Sequence, residues 1–204
     1  MKKDFNPFQL DSINITFTYL SMENILLYGL GFICRDLKFK TENVDGILVK
    51  EGSDNPFLID NDGNKQYFQR PLVWDETDKV ALIDSMYNNV DIGKFVVVKR
   101  DYPYIEKQIK LGNTDVSFYE LVDGKQRINA VCEFMQDKFK DSYGNYYSEY
   151  DTIYKRKFWQ YNKCGLAILE DPTPAQIKYV FLNVNYTGKV MTKEHIEFIK
   201  SLNV

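Results

Sequence analysis

Apolar positions along the chain change spacing several times, and each change marks an element. Ile13 to Leu20 alternates apolar with polar and predicts a strand, and Met22 to Tyr28 suits a short helix. Gly29 and Gly31 mark a bend, and Asp36 to Lys40 and Gly46 to Lys50 predict short strands. Pro56 to Asp60 and Lys65 to Phe68 flank Asn61-Asp62-Gly63-Asn64, a hairpin signal. Asp75 is a suitable N-cap for a helix from Glu76 to Asn88, with Val80, Ile83, Met86, Tyr87 and Val90 as its inward stripe. Phe95 to Lys99 reads as a core strand. Asp101 to Asn113, interrupted by Pro103, reads as a loop or hairpin. Val116 to Val122 is a strand apolar on both faces, and from Ile128 the spacing turns helical through Val131, Cys132 and Met135. Lys138 to Asp151, polar, Tyr-rich and carrying Gly144, reads as an exposed connection, and Thr152 to Tyr161 as a helix whose basic turn Lys155-Arg156-Lys157 suits a solvated face. Cys164 to Leu169 is a strand. Pro172 or Pro174 starts a helix through Leu182, Asn183 to Gly188 is a polar turn, and Thr192 caps a last helix carrying Ile196, Ile199 and Leu202.

The pattern breaks hardest at Asp123-Gly124-Lys125-Gln126-Arg127, where a strand hands over to a helix N-terminus. The first turn of a helix has backbone N–H groups without partners and the positive end of the dipole, so anions bind there, phosphate above all. Gly124 lets a ligand approach the backbone. Lys125 and Arg127 add positive charge, and Arg127 can grip two phosphate oxygens as a fork. Asp123 beside them suits Mg²⁺, a ribose hydroxyl or an attacking water. The same residues also fit a plain reading: Asp123 with Gln126 three positions on makes a capping box, and Arg127 can pair with Asp123.

Composition narrows the chemistry. The 204 residues suit one domain, or one with an appendage, and 44% hydrophobic with 27% charged is an ordinary globular balance. A net charge of −3 weighs against stand-alone DNA binding, which calls for a basic face. Cys34, Cys132 and Cys164 are odd in number and lack zinc-ligand spacing, which fits a reducing cytoplasm, with Cys132 as a small core residue. The apolar run from Ile25 to Cys34 is far short of the ~20 residues a membrane crossing needs. His195 is the only histidine, no Gly-x-Ser-x-Gly elbow supports a hydrolase triad, and no Walker-type loop is present.

Three blocks of sequence carry a resemblance. Val122-Asp123-Gly124-Lys125-Gln126-Arg127 is similar to the Asp-Gly-Gln-Gln-Arg signature of the DUF262 family, the N-terminal domain of GmrSD-type modification-dependent restriction enzymes. Gln69-Arg70-Pro71-Leu72-Val73-Trp74 followed by Leu82-Ile83-Asp84-Ser85 resembles the family's Gln-Arg-x-x-x-Trp and Leu-Ile-Asp-Ser segment. Phe181 to Gly188 resembles its Phe…Asn-x-x-Gly segment. The blocks keep the family order and span most of the chain after Gln69.

The resemblance implies an α+β, ParB/sulfiredoxin-like fold, a mixed sheet with surrounding helices. Residues 67–204 would form the nucleotide-binding domain and residues 1–66 an N-terminal extension packed on it. It also implies a nucleoside triphosphate as ligand or substrate, with Mg²⁺ at Asp123. Arg70 and Arg127 would neutralise phosphate charge, with phosphates on the N–H groups of Gly124 and Lys125. Gln126 or Gln69 would orient water or read the nucleotide, and Asn185 would donate to it. Lys125 stands where the family has Gln, which keeps a donor for phosphate and leaves hydrolysis open. An HNH nuclease, which needs more than one histidine, is excluded within this chain. The implied role is in phage–host restriction or defence, beside a nuclease or DNA-modification partner. Two other readings stay open: a non-catalytic module that binds a partner protein or modified DNA, and ParB-like DNA cleavage. A pocket joining Arg70, Asp123 and Arg127 would favour the nucleotide, and a filled turn with those residues in surface pairs the module.

Overall fold

Six strands build one mixed sheet in the order β1-β8-β6-β7-β3-β2, seen in a computed structural model that describes residues 14–21, 41–158, 163–184 and 192–204. The strands are β1 (Ile15–Ser21), β2 (Thr41–Val44), β3 (Ile47–Ser53), β6 (Phe95–Lys99), β7 (Ser117–Asp123) and β8 (Lys163–Glu170). β4 (Phe57–Ile59) and β5 (Lys65–Tyr67) form the expected separate hairpin, with Gly63 in its turn at φ 86°. At the centre β6 runs parallel to β8 and antiparallel to β7. β7 in turn lies parallel to β3, while β1 pairs antiparallel with β8. The architecture is α+β, with helices on a mixed sheet. Of the strands in the first 66 residues, β1, β2 and β3 belong to this sheet and β4 to the hairpin.

The helices are α1 (Glu76–Tyr87), α2 (Tyr102–Lys110), α3 (Lys125–Met135), α4 (Thr152–Arg156), α5 (Pro174–Val184) and α6 (Lys193–Ser201). One face of the sheet packs with α1 and α3 in a core holding Ile83, Met86, Phe95, Val97, Ile128 and Phe134. The other packs with α5 and α6 through Val96, Val98, Val122, Leu169, Ile177 and Phe181. β6 therefore shows apolar side chains to both faces, which is why Phe95 to Lys99 has no alternation. Lys79 Nζ sits 2.6 Å from Glu133 Oε2 and ties α1 to α3.

The capping residues fall where the sequence puts them: Asp75 closes a capping box with Asp78, and Thr192 Oγ1 accepts from His195 N–H at 3.3 Å. Four expectations need correction. Pro103 does not break the 101–113 segment, because it lies in the first turn of α2 behind the Asp101 N-cap, where its missing N–H is no loss. Val90 lies beyond α1 and is exposed, and Leu82 is buried instead. The 138–151 connection is anchored by buried Phe139 and Asp141, whose carboxylate accepts from Asn145 N–H and from the Tyr150 hydroxyl. Residues 183 and 184 finish α5 rather than open a turn. The expected elements at Met22–Tyr28 and Asp36–Lys40 lie outside the described residues. Among the described residues no helix is long and apolar enough to cross a membrane.

Candidate functional site

The strand-to-helix handover from β7 to α3 is built by glycine rather than by a capping box. Gly124 is the N-cap of α3 in a left-handed conformation, φ 113° and ψ 5°, and no side chain caps the helix. The first intrahelical bond runs from Ile128 N–H to Gly124 O at 2.9 Å. Among the described residues nothing accepts from the N–H groups of Lys125, Gln126 and Arg127. The Asp123/Gln126 capping box is thus overturned, because both side chains are drawn elsewhere.

Asp123 turns toward Arg127, whose Nη2 donates to its Oδ2 at 2.7 Å. The same guanidinium donates from Nη2 to Lys94 O at 2.9 Å and from Nη1 to Ile92 O at 2.8 Å. Its Cζ lies 4.6 Å from the Phe95 ring centroid. Among the described residues three of its five donors are therefore occupied, leaving Nε–H and one Nη1–H. Gly93 permits the wrap: at φ +82° it brings the loop so close that a Cβ there would lie 3.0 Å from Arg127 Nη1. Behind this cation, burial pushes the Cys164 thiol up to about 11, against the downward pull of Arg127.

Gln126 is buried and works on the neighbouring segment. Its Oε1 accepts from Val73 N–H at 3.0 Å and Trp74 N–H at 3.2 Å, and its Nε2 donates to Pro71 O at 2.8 Å. Gln69 does the matching work on β7. At the register shift between Val96 and Val97, Asp123 pairs with Val96 and Leu121 with Val97, leaving Val122 as the extra residue. Gln69 Nε2 donates to the carbonyls of Leu121 at 2.7 Å and Val122 at 2.9 Å. The two glutamines fasten the Gln69–Trp74 segment to the β7–α3 turn.

The result is a cavity of about 650 Å³ at the end of the sheet. Gln69, Arg70, Asp123, Gly124, Lys125, Gln126 and Arg127 all line it, so the structure brings together every predicted site residue within its described part. Asn185 lies outside the described residues, although Asn183 and Val184 from the end of α5 reach the wall. Lys94 and Trp74 also line it. Lys94 had no signal in the sequence, since it is a lone cation in a loop. Trp74 carries a buried indole N–H without an acceptor among the described residues. Among the described lining residues, Arg70, Lys94, Lys125 and Arg127 stand with one carboxylate, Asp123, in a chain whose net charge is −3. Such a wall selects anions.

Mg²⁺ has a partial donor set here. Among the described residues no three His, Cys, Asp or Glu side chains gather as a metal site. Mg²⁺, however, commonly takes one or two carboxylates and completes its shell with phosphates and water. Asp123 can supply one such ligand through Oδ1. His195 serves packing: its Nε2 is 3.1 Å from Phe68 O, with its ring among Phe181 and Phe198.

A family model described as GmrSD restriction endonuclease, N-terminal domain, matches residues 55–202. No curated protein and no solved structure matches the chain.

Proposed function

Since the chain belongs to the family of GmrSD restriction endonuclease N-terminal domains, we propose that its pocket binds a nucleoside triphosphate and that occupancy signals to a nuclease supplied elsewhere. The family ties the domain to restriction. The observation that carries the nucleotide is the charge of the wall: four cations and one carboxylate around the open N–H groups of a helix start.

Each residue then has a role set by its contacts. The N–H groups of Lys125 and Gln126, with the Lys125 ammonium, hold phosphate oxygens. Arg127 offers its remaining Nε–H and Nη1–H as the fork, preset by Ile92 O, Lys94 O and Asp123. Arg70 and Lys94 add the remaining positive charge of the lining. Gln126 and Gln69 are positioning residues, since their amides hold the 69–74 segment and the bulge. When bound, Mg²⁺ on Asp123 neutralises phosphate charge. Asp123 can also orient water, which keeps hydrolysis within reach of this site. The non-catalytic module draws support from the Arg127–Asp123 pair. The pocket beside that pair gives the nucleotide the better claim.

A thermal-shift panel of nucleoside triphosphates, with and without Mg²⁺, tests the reading on wild type and on Lys125→Glu and Lys94→Glu. Neither lysine forms an ion pair among the described residues, so both variants should fold. A nucleotide at ~100 times its dissociation constant stabilises by about 2.7 kcal/mol. The expected result is such a shift in wild type and a smaller one in both variants. No shift with any nucleotide, or an equal shift in all three proteins, overturns it.

A further inference from the structure

Strand β1 carries two large rings in the open. Phe17 is 65% and Tyr19 78% exposed, and at two residues apart they share one face of the strand. The register places Phe17 opposite Ala167 and Tyr19 opposite Gly165 on β8. Ala167 belongs to the core under α5 and α6, and Ile15, earlier on β1, still packs against it. Beyond Ile15 that cover ends, and the small partners Ala167 and Gly165 leave the rings uncovered. Gly165 has a local reason: a Cβ there would lie 3.0 Å from Lys94 Cβ and 3.9 Å from Tyr19 Cε1. Its absence lets Lys94 and Tyr19 close over the strand.

Lys94 joins this surface to the pocket. Its Nζ lies 5.3 Å from the Phe17 ring centroid, its carbonyl accepts from Arg127, and it lines the pocket wall. The aromatic pair therefore begins one residue away from the proposed phosphate site. A solvent-facing pair of rings beside a cation is what a nucleobase stacks on, with stacking worth about 1–3 kcal/mol per base.

We propose that Phe17 and Tyr19 are the base platform of the nucleotide site, with Lys94 bridging base and phosphates. The inference rests on the phosphate reading above. The Tyr19 hydroxyl is the only side-chain hydrogen-bonding group of the two rings, so the platform selects by stacking area. Purine nucleotides bind more tightly than pyrimidine ones, and adenine and guanine are weakly distinguished.

Calorimetric titration with inorganic tripolyphosphate and with ATP, GTP and CTP tests this on wild type, Phe17→Ala, Tyr19→Ala and Tyr19→Phe. Wild type should bind ATP and GTP more tightly than CTP, and CTP more tightly than tripolyphosphate. Each alanine variant should lose about tenfold in purine nucleotide affinity, keep its tripolyphosphate affinity, and retain its fold, since both rings are exposed. Tyr19→Phe should bind as wild type. If tripolyphosphate and nucleotides bind but both alanine variants match wild type, the platform is wrong and the phosphate site stands. If neither ligand class binds wild type, the phosphate site falls and the platform with it. Equal affinity for tripolyphosphate and nucleotide in wild type also overturns the platform, as would aromatic-dependent capture of an apolar peptide without nucleotide binding.

Discussion

A Cβ on residue 124 would sit 2.2 Å from Cδ1 of Phe95. That contact makes the turn and the core one object. Phe95 is fully buried, so it has nowhere to retreat. The left-handed φ of 113° adds a second penalty for any side chain at this point. Gly124→Ala should therefore cost about 3 kcal/mol, combining overpacking with backbone strain. Urea denaturation should show the midpoint falling without a change in slope. Nucleotide binding should weaken even where the variant is folded, because the Phe95 ring is the seat of Arg127.

Arg127 ties the 92–94 loop to Asp123, so its charge and its shape can be separated. Arg127→Ala leaves the carbonyls of Ile92 and Lys94 unmet and Asp123 without its cation, which should cost about 2–3 kcal/mol. Arg127→Lys keeps the charge but offers a single compact ammonium in place of a planar fork. It should recover less than half of that loss in chemical denaturation. Triphosphate affinity should stay low in both variants. A lysine variant as stable as wild type would show that the carbonyl contacts contribute little.

The legible parts of the chain were those governed by local rules. The caps at Asp75 and Thr192, the hairpin at Asn61 to Asn64 and the strands ending near Lys99, Val122 and Leu169 follow from residue type and period. Pro103 misled because its effect depends on position within a turn, and Asp101 fixed that position. The turn at Asp123 to Arg127 was recognisable, but its interior was not. Gln126 had two local options, and long-range pairing with residues 71–74 won over capping. Lys94 entered the site through a loop whose path is set by Arg127, which no periodicity records.

Gln126 should be testable through the segment it holds. Gln126→Ala removes the acceptor for Val73 and Trp74 N–H and the donor for Pro71 O, of which Trp74 is half-buried while Pro71 and Val73 are exposed and can turn to water. The expected cost is about 1–2 kcal/mol. Hydrogen exchange should localise it: the Val73 and Trp74 amides should exchange much faster in the variant, while core amides such as Val97 keep their relative protection. A uniform acceleration across the whole chain would instead mean that Gln126 acts only on global stability. Nucleotide binding should fall with the local protection, since Arg70 rides on the same segment.

Cys164 gives the pH dependence. Burial is the main cause of its raised pKa, about 11 against an ordinary 9.0, and nearby Arg127 pulls the other way. The folded state thus holds the thiol proton more tightly than the unfolded chain does. The associated stability is complete below about pH 9 and is lost as pH climbs toward 11, because over that window only the unfolded chain gains by ionising. The side chain is 1% exposed, so the full shift is realised, roughly 2–3 kcal/mol by the upper end. Tyr104 and Tyr150, raised to about 12 from 10.0, and Tyr87, raised further by burial, add comparable losses as the unfolded tyrosines ionise between pH 9 and pH 10. Between pH 8 and pH 9 the slope should therefore belong largely to Cys164. Urea midpoints at pH 8, 8.5 and 9 should fall for wild type and fall much less for Cys164→Ala. Parallel declines in the two proteins would assign the alkaline loss to other groups. Arg127→Ala should steepen the decline, because removing the cation lifts the thiol further.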